Sequence, residues 1–380
     1  MFEIKLSLKM NKKKVGFICT SKSSGGLEML MSNICLWLQQ RGNDCIFICS
    51  KNSYISCFNK KNSIRSFELE KSRKLFDFKT ARVVKEIIKE ENISTIISGD
   101  NKDLNLCYIV KKMTGQELNH IFIQNMQIGI KKKDLYHTLI YNKIDYWVSP
   151  LEWLRNQVLE LTNLKPEKII VIPHGFDARK FSEEKISKIE ARKSFGLKQD
   201  GFYLGILGRI DIKKGQEFLI NAVNILNNQK RQNVNLVIAG EPTEGEGSDY
   251  FKYLKNLAEE FKIEDNVKFA GFIENTSGFY RALDVFVMAS ESETYGLVTL
   301  EAMASGVPVI GTNRGGTKEI LNSGEFGYLY EPDNMRQFCE IIEKIKNENC
   351  NLEDIILKAK EISISKYSKD KQCELLEKLI

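Results

Sequence analysis

The chain has 380 residues, 42 % hydrophobic and 28 % charged, a composition that excludes a disordered or collagenous protein. The length exceeds one ordinary core and suits two domains of roughly 150–200 residues each. The net charge of +6 is uneven: residues 1–175 hold 28 Lys and Arg against 17 Asp and Glu, a net of +11, and the remainder nets −5. In chain order, short apolar runs alternate with amphipathic stretches. Strands are expected at 14–19, 45–49, 95–98, 120–123, 146–149 and 168–172. Helices are expected between them at 26–41, 78–91, 104–113, 135–142 and 150–161, on apolar spacings such as Leu27, Leu30, Met31, Ile34, Leu38. Pro173-His174-Gly175 then breaks the pattern, and the charged stretch that follows through Lys193 is the candidate hinge.

The alternation restarts with strands at 202–207, 235–239, 267–269, 285–288 and 308–311. Helices at 216–228, 249–261, 276–283 and 297–305 connect them, and 335–380 reads as almost wholly helical. Fully apolar strands in repeated βα units imply parallel sheets covered on both faces. The fold class expected is α/β, two doubly wound domains in tandem, with ligands at the carboxyl ends of the strands. Nine scattered cysteines without a C-x-x-C pair, and three histidines, argue for reduced buried thiols and against a zinc site. No run of about 18 apolar residues is present, so no transmembrane helix is expected. Nor is a signal peptide, since Met1–Lys5 opens no apolar core with a small-residue cleavage site.

Three segments carry chemistry. The stretch 20–28, with Gly25 and Gly26 before a helix, lets backbone N–H groups approach an anion. It is neither G-x-G-x-x-G nor a Walker loop, so the dehydrogenase and NTPase readings lose their support. The stretch 208–215 places Arg209 and Lys214 just after a strand, where they can offset the charge of a diphosphate. The stretch 291–310 puts Glu293 in a polar turn and Glu301 one turn inside a helix opened by Gly296. The first N–H groups of that helix, at Leu297 and Val298, form an anion site. Glu301 sits among Leu297, Val298, Leu300, Ala302 and Met303, and a carboxylate in such company needs a partner. Glu301 can accept hydrogen bonds from ribose hydroxyls and Glu293 from sugar hydroxyls.

These residues resemble the retaining family 4 glycosyltransferases of the GT-B fold. The resemblance is strongest over 202–321, through Gly208-Arg209, Lys214-Gly215, Glu293 and Glu301 at E-x7-E spacing, and Gly315-Gly316-Thr317-Lys318-Glu319. It is weaker in the first half, through Gly25-Gly26-Leu27-Glu28 and the segment 172–177. It implies an acceptor-binding domain at 1–175, a nucleotide-sugar domain at 176–362 facing it across a central cleft, and a helix at 363–380 crossing back to the first domain. It implies sugar transfer from a nucleotide-sugar, UDP-linked, to an acceptor hydroxyl with retention of configuration, without a metal. No D-x-D pair of aspartates is present. Arg209, Lys214, Leu297 and Val298 would hold the diphosphate, Glu301 the ribose and the backbone at Phe272 and Ile273 the base. Gly25 and Gly26 would assist donor binding. Glu293, at the transferred sugar, takes the catalytic position, and no nucleophile is assigned. Members often carry a histidine where Gln124 and Asn125 stand here, which makes those two the candidate sugar or acceptor contacts.

The resemblance also implies cell-surface polysaccharide, lipopolysaccharide or glycolipid assembly in the cytoplasm. The alternatives are a sugar-nucleotide epimerase of the same fold and a non-catalytic binder of anionic surfaces. The basic half suggests an anionic partner, either the acceptor or a membrane surface, with Lys12-Lys13-Lys14 and Lys131-Lys132-Lys133 as candidate lipid contacts. Nucleic acid is not expected as a partner.

Overall fold

A computed structural model describes residues 14–70, 77–115, 118–242, 248–347 and 351–380. The segment 1–13, with its alternating apolar residues and Lys12 and Lys13, lies outside the described residues. The chain forms two compact units, residues 1–175 with 369–380, and residues 176–368.

In the first unit the strands are β1 (Lys14–Cys19), β2 (Asp44–Ser50), β3 (Ser66–Leu69), β4 (Ile93–Ser98), β5 (Asn119–Ile123), β6 (Tyr146–Ser149) and β7 (Ile169–Val171). The connecting helices are α1 (Gly26–Gln40), α2 (Tyr54–Lys61), α3 (Phe78–Glu90), α4 (Leu104–Thr114), α5 (Leu135–Tyr141) and α6 (Glu152–Leu161). All strands pair in parallel in the order β3-β2-β1-β4-β5-β6-β7. Val15 to Cys19 are buried along β1, as expected of a strand covered on both faces. Phe17 lies opposite Phe47 on one side and Ile97 on the other. The sequence reading contains no counterpart of α2 and β3. The helix is short, and Ser66–Leu69 is a four-residue edge strand whose Glu68 interrupts the apolar run.

In the second unit, α7 (Ala178–Ser182) and α8 (Lys188–Ser194) precede β8 (Phe202–Leu207). There follow α9 (Gln216–Asn224), β9 (Val234–Ala239), α10 (Ser248–Glu260), β10 (Val267–Gly271), α11 (Thr276–Ala282) and β11 (Val285–Met288). Then come α12 (Leu297–Ala304), β12 (Val309–Thr312), α13 (Gly315–Ile320), β13 (Tyr328–Tyr330), α14 (Met335–Lys346) and α15 (Leu352–Ser365). The sheet is again parallel, in the order β10-β9-β8-β11-β12-β13.

The charged stretch through Lys193 begins at the boundary between the two units, after Gly175, and is not an extended linker. It folds as α7 and α8, and α8 opens on a capping box between Ser187 and Glu190. Arg192, nearly buried, donates to Asp284 (2.7 Å) and to the carbonyl of Ala282 (3.2 Å). Lys188 pairs with the same aspartate at 2.6 Å. A charged stretch thus reads as linker only until its acidic partner, 92 residues from Arg192 in sequence, is brought beside it.

The last helix, α16 (Lys369–Glu377), belongs to the first unit. The chain enters it after Ser368, where the sequence reading placed the boundary at 362. Cys373 and Leu376 are fully buried in the same core as Ile34, Leu38 and Phe47. Glu377 receives two hydrogen bonds from the Arg41 guanidinium (2.8 and 3.0 Å) and one from Asn43 (2.8 Å). The Arg41 pair is half-exposed and contributes at most about 1 kcal/mol, so the apolar side chains hold the helix. We therefore expect Leu376→Ala to cost about 2–5 kcal/mol in the unfolding of the first unit, measured by urea denaturation. A loss below about 1 kcal/mol would show that α16 is dispensable to that core.

Candidate functional site

In each sheet the strand order reverses once, between β1 and β4 and between β8 and β11. Loops leaving the two central strands there diverge, and the crevice they leave at the strands' carboxyl ends is the standard ligand position of such folds. The 208–215 and 289–296 loops flank that crevice in the second unit.

The first of these loops is built by short-range bonds. The Asp211 carboxylate accepts from the Lys213 N–H at 3.1 Å and starts a single tight turn, Ile212–Lys214. Gly215 then takes a left-handed conformation, φ 83°, that lets α9 begin. A Cβ at Gly215 would stand 2.3 Å from the Ala289 carbonyl oxygen, so glycine is also required by the close approach of the second loop. The Gln216 amide donates to the Arg209 carbonyl at 2.9 Å and fixes the backbone that carries Arg209.

In the second loop the Glu293 carbonyl accepts from the Gly316 N–H at 3.0 Å. Gly296, φ 87°, then turns the chain into α12. The Thr299 N–H closes on the Gly296 carbonyl, which leaves the N–H groups of Leu297 and Val298 as the first of the helix, with no preceding turn to bond to.

Arg209, Lys214, Glu293, Leu297 and Val298 line one cavity of about 230 Å³, with Val287 and Met288 behind them. Lys214 Nζ lies 2.9 Å from Glu293 Oε2, and both side chains are partly exposed. The arrangement concentrates one guanidinium, one ammonium, two helix-terminal N–H groups and one carboxylate. It can bind a multiply charged anion beside a group that accepts from hydroxyls.

Glu301 does not line this cavity. It lies in the middle of α12, where the Tyr280 hydroxyl donates to Glu301 Oε2 at 2.8 Å. Burial raises its carboxyl to about 7, against the opposing effects of the Tyr280 hydrogen bond and the Lys180 ammonium. The partner that a carboxylate in an apolar helix requires is therefore Tyr280 on α11, itself fully buried. Nothing in the spacing of Tyr280 sets it apart from the other aromatic residues of its run. Phe272 is strongly exposed and Ile273 partly so, in the turn after β10, and neither reaches the cavity. Gln216 lines the cavity but was missed, because a glutamine opening an amphipathic helix carries no signal of its own.

In the first unit, Gly25 precedes α1, and its N–H donates to Glu28 Oε2 at 2.9 Å. The Ser21 hydroxyl donates to the other oxygen of Glu28. Gly26 has open space around it. On the β4 side, buried Asp103 accepts from the N–H (2.9 Å) and the hydroxyl of Thr20. Burial lifts that carboxyl to about 7, and the two Thr20 bonds work against the rise. Buried Glu28, Asp100 and Asp103 make the first unit's crevice acidic although the unit is basic. Gln124 is buried, its carbonyl oxygen accepting from Trp147 (3.1 Å) and Ser149 (2.7 Å), its amide donating to the Met126 carbonyl (3.0 Å). Asn125 donates to the carbonyls of Gly99 (3.1 Å) and Ile123 (2.9 Å). His174 is buried, which pushes its pKa down to about 3 and keeps it neutral.

Residues 187–362 match the family model described as glycosyl transferases group 1. An uncharacterized glycosyltransferase of Methanocaldococcus jannaschii is 32 % identical over 225 residues, covering 57 % of this chain and 55 % of the relative. An alpha-monoglucosyldiacylglycerol synthase of Streptococcus pneumoniae is 34 % identical over 193 residues, 49 % of this chain and 42 % of the relative. The chain thus spans about half the length of such curated relatives. Among solved structures, the Anabaena HepE protein in complex with UDP superposes with a TM-score of 0.82 at 19 % identity, covering 96 % of this chain and 98 % of that one. The fold is thus that of the GT-B glycosyltransferases, and the second unit resembles the group 1 glycosyl transferases over 187–362.

Because the Arg209–Lys214 loop depends on the left-handed turn at Gly215, Gly215→Ala should cost about 1–3 kcal/mol. Thermal unfolding of the variant measures it, and an unchanged midpoint would mean that the loop has room the geometry denies.

Proposed function

We propose that the protein transfers a hexosyl unit from a nucleotide-sugar, UDP-linked, to an acceptor hydroxyl with retention of configuration. The observation that carries this reading is the convergence of Arg209, Lys214 and the N–H groups of Leu297 and Val298 on one cavity. A diphosphate seated there meets two cations and two backbone donors, the groups needed to stabilise a leaving nucleoside diphosphate. Two side-chain cations supply the positive charge that a divalent metal supplies elsewhere, so no cofactor is invoked. The UDP held by a structural neighbour of the same fold supports the choice of donor class.

In this reading Lys214 exchanges part of its contact with Glu293 for the diphosphate. Glu293 then accepts from hydroxyls of the transferred sugar and orients it, as its place in the cavity allows. Glu301 binds the ribose through the carboxylate that Tyr280 holds, and the backbone at Phe272 and Ile273 meets the base. From the first unit, Gly25 and Gly26 assist at the donor. Gln124 and Asn125 are the proposed sugar or acceptor contacts; both ends of the Gln124 amide are engaged, so Gln124 acts through the backbone it holds in place. The acceptor is a glycan or lipid-linked sugar in cell-surface polysaccharide, lipopolysaccharide or glycolipid assembly, at the cytoplasmic face of a membrane. A relative named as a glycolipid synthase supports that class. Among the described residues no helix is long and apolar enough to cross a membrane.

Arg209→Ala removes a charge-assisted contact worth about 1.5–3 kcal/mol, so kcat/KM for a UDP-sugar should fall roughly 10- to 100-fold. Full activity in the folded variant would remove the diphosphate role. The second test is pH. Both phosphates of a nucleotide-sugar are esterified and titrate well below neutrality, whereas Glu301 titrates near 7. Ribose hydroxyls donate to the carboxylate, the form that grows as pH rises. Donor affinity should therefore climb by up to tenfold per unit toward pH 7 and level off above it. Glu301→Gln should flatten the profile between pH 5.5 and 8.5, as read by titration calorimetry. Identical profiles in the two proteins would exclude Glu301 from the donor site.

A further inference from the structure

We propose that the segment 126–139 of the first unit is a docking surface for an anionic lipid bilayer. Most large apolar side chains exposed in the described residues stand singly, which is normal for a protein surface. Here five fall within 14 residues: Met126, Ile130, Leu135, Tyr136 and Leu139. Leu135 is 76 % and Ile130 66 % exposed. Leu135 and Leu139 are one turn apart on α5, so they share a face, while Ile140 and Tyr141 bury the opposite side. Apolar side chains grouped in this way mark an interaction site.

The segment is held in shape. The Lys132 N–H donates to the Leu161 carbonyl at 2.7 Å. The Asn163 amide donates to the Lys133 carbonyl (3.1 Å) and to the Thr138 hydroxyl (2.9 Å). Asn105 donates to the Tyr136 hydroxyl at 2.9 Å. The exposed side chains are thus presented by a fixed backbone, before any partner arrives.

The charge pattern selects the occupant. Lys131 and Lys133 are exposed and Lys132 partly so, immediately before α5. The one carboxylate in the segment, Asp134, caps α5 through the His137 N–H (3.1 Å) and pairs with the His137 ring. Lysines beside leucine and isoleucine suit an anionic bilayer, where ammonium groups meet lipid phosphates and apolar side chains enter the acyl boundary. A second copy of this chain joined by a two-fold axis would set the same lysines against themselves. A glycan would be recognised by hydrogen-bonding groups, which bare leucine and isoleucine lack. The proposal rests on the membrane-facing acceptor reading above, but all of its residues lie in the first unit and vesicle binding is read without turnover, so its failure leaves the donor assignment standing.

Flotation of the full chain with vesicles of phosphatidylcholine and phosphatidylglycerol tests it. At 50 mM salt the protein should float with vesicles containing 30 % phosphatidylglycerol and stay below with phosphatidylcholine alone. Binding should fall at least tenfold at 500 mM salt. Lys131→Glu with Lys133→Glu, and separately Leu135→Ser with Leu139→Ser, should each lower the partition coefficient at least tenfold. All four positions are exposed, so circular dichroism and UDP-sugar affinity should be unchanged. No flotation of the wild-type chain at low salt would overturn the proposal. So would variants that bind as well as wild type, which would place the contact elsewhere, for example on Lys12 and Lys13. Self-association of the wild-type chain that the leucine variants abolish, without vesicle binding, would assign the surface to a second copy instead.

Discussion

A parallel sheet satisfies its backbone groups within itself and buries both faces, so polar chemistry collects where the strands end. In the second unit the strand order reverses between β8 and β11, and the two loops leaving those strands bound one crevice. The rest of the candidate site follows from that reversal. It brings Arg209 and Lys214 to the same cavity as Glu293, about 80 residues later in the chain, and sets the start of α12 beside them. The price of the close approach is a glycine at 215, where the Ala289 carbonyl leaves no room for a side chain.

Glu293 and Glu301, eight positions apart, have different surroundings. Glu293 is at the cavity wall and answers a lysine, so its charge is balanced in a partly wet setting. Glu301 sits inside the unit, where burial favours the neutral form and one tyrosine hydroxyl opposes it. A carboxyl poised near neutrality can change state when a ligand brings hydroxyl donors to it. The Tyr280 bond keeps one of the two Glu301 oxygens directed. The division of labour proposed above gives the sugar to Glu293 and the ribose to Glu301.

The charge of the first unit is distributed in a similar way. Its net is strongly basic, yet the crevice beside β1 and β4 is lined by buried Glu28, Asp100 and Asp103, each tied to neighbouring backbone or hydroxyl groups. Lysines instead crowd other surfaces, and at 131–133 they adjoin exposed apolar side chains. Net charge indicated an anionic partner for this half, and only the fold showed that three buried carboxylates gather beside β1 and β4.

Much was legible in the sequence. The period of apolar residues determined eleven strands and most helices to within a residue or two, because a buried parallel strand can be built in few ways. Arg209, Lys214 and Glu293 were readable as neighbours, since chemistry placed directly after a strand has one edge of the sheet to occupy. Short elements were not legible. The edge strand Ser66–Leu69 and the helix α8 draw their stability from partners distant in sequence, such as the Arg192–Asp284 pair, and carry little pattern of their own. Tertiary structure alone decided that Glu301 faces Tyr280 and not the cavity. It also decided that Gln124 is enclosed by Trp147 and Ser149, and that Leu135 and Leu139 face outward. Sequence periodicity says which residues prefer burial, but packing decides which group each of them meets.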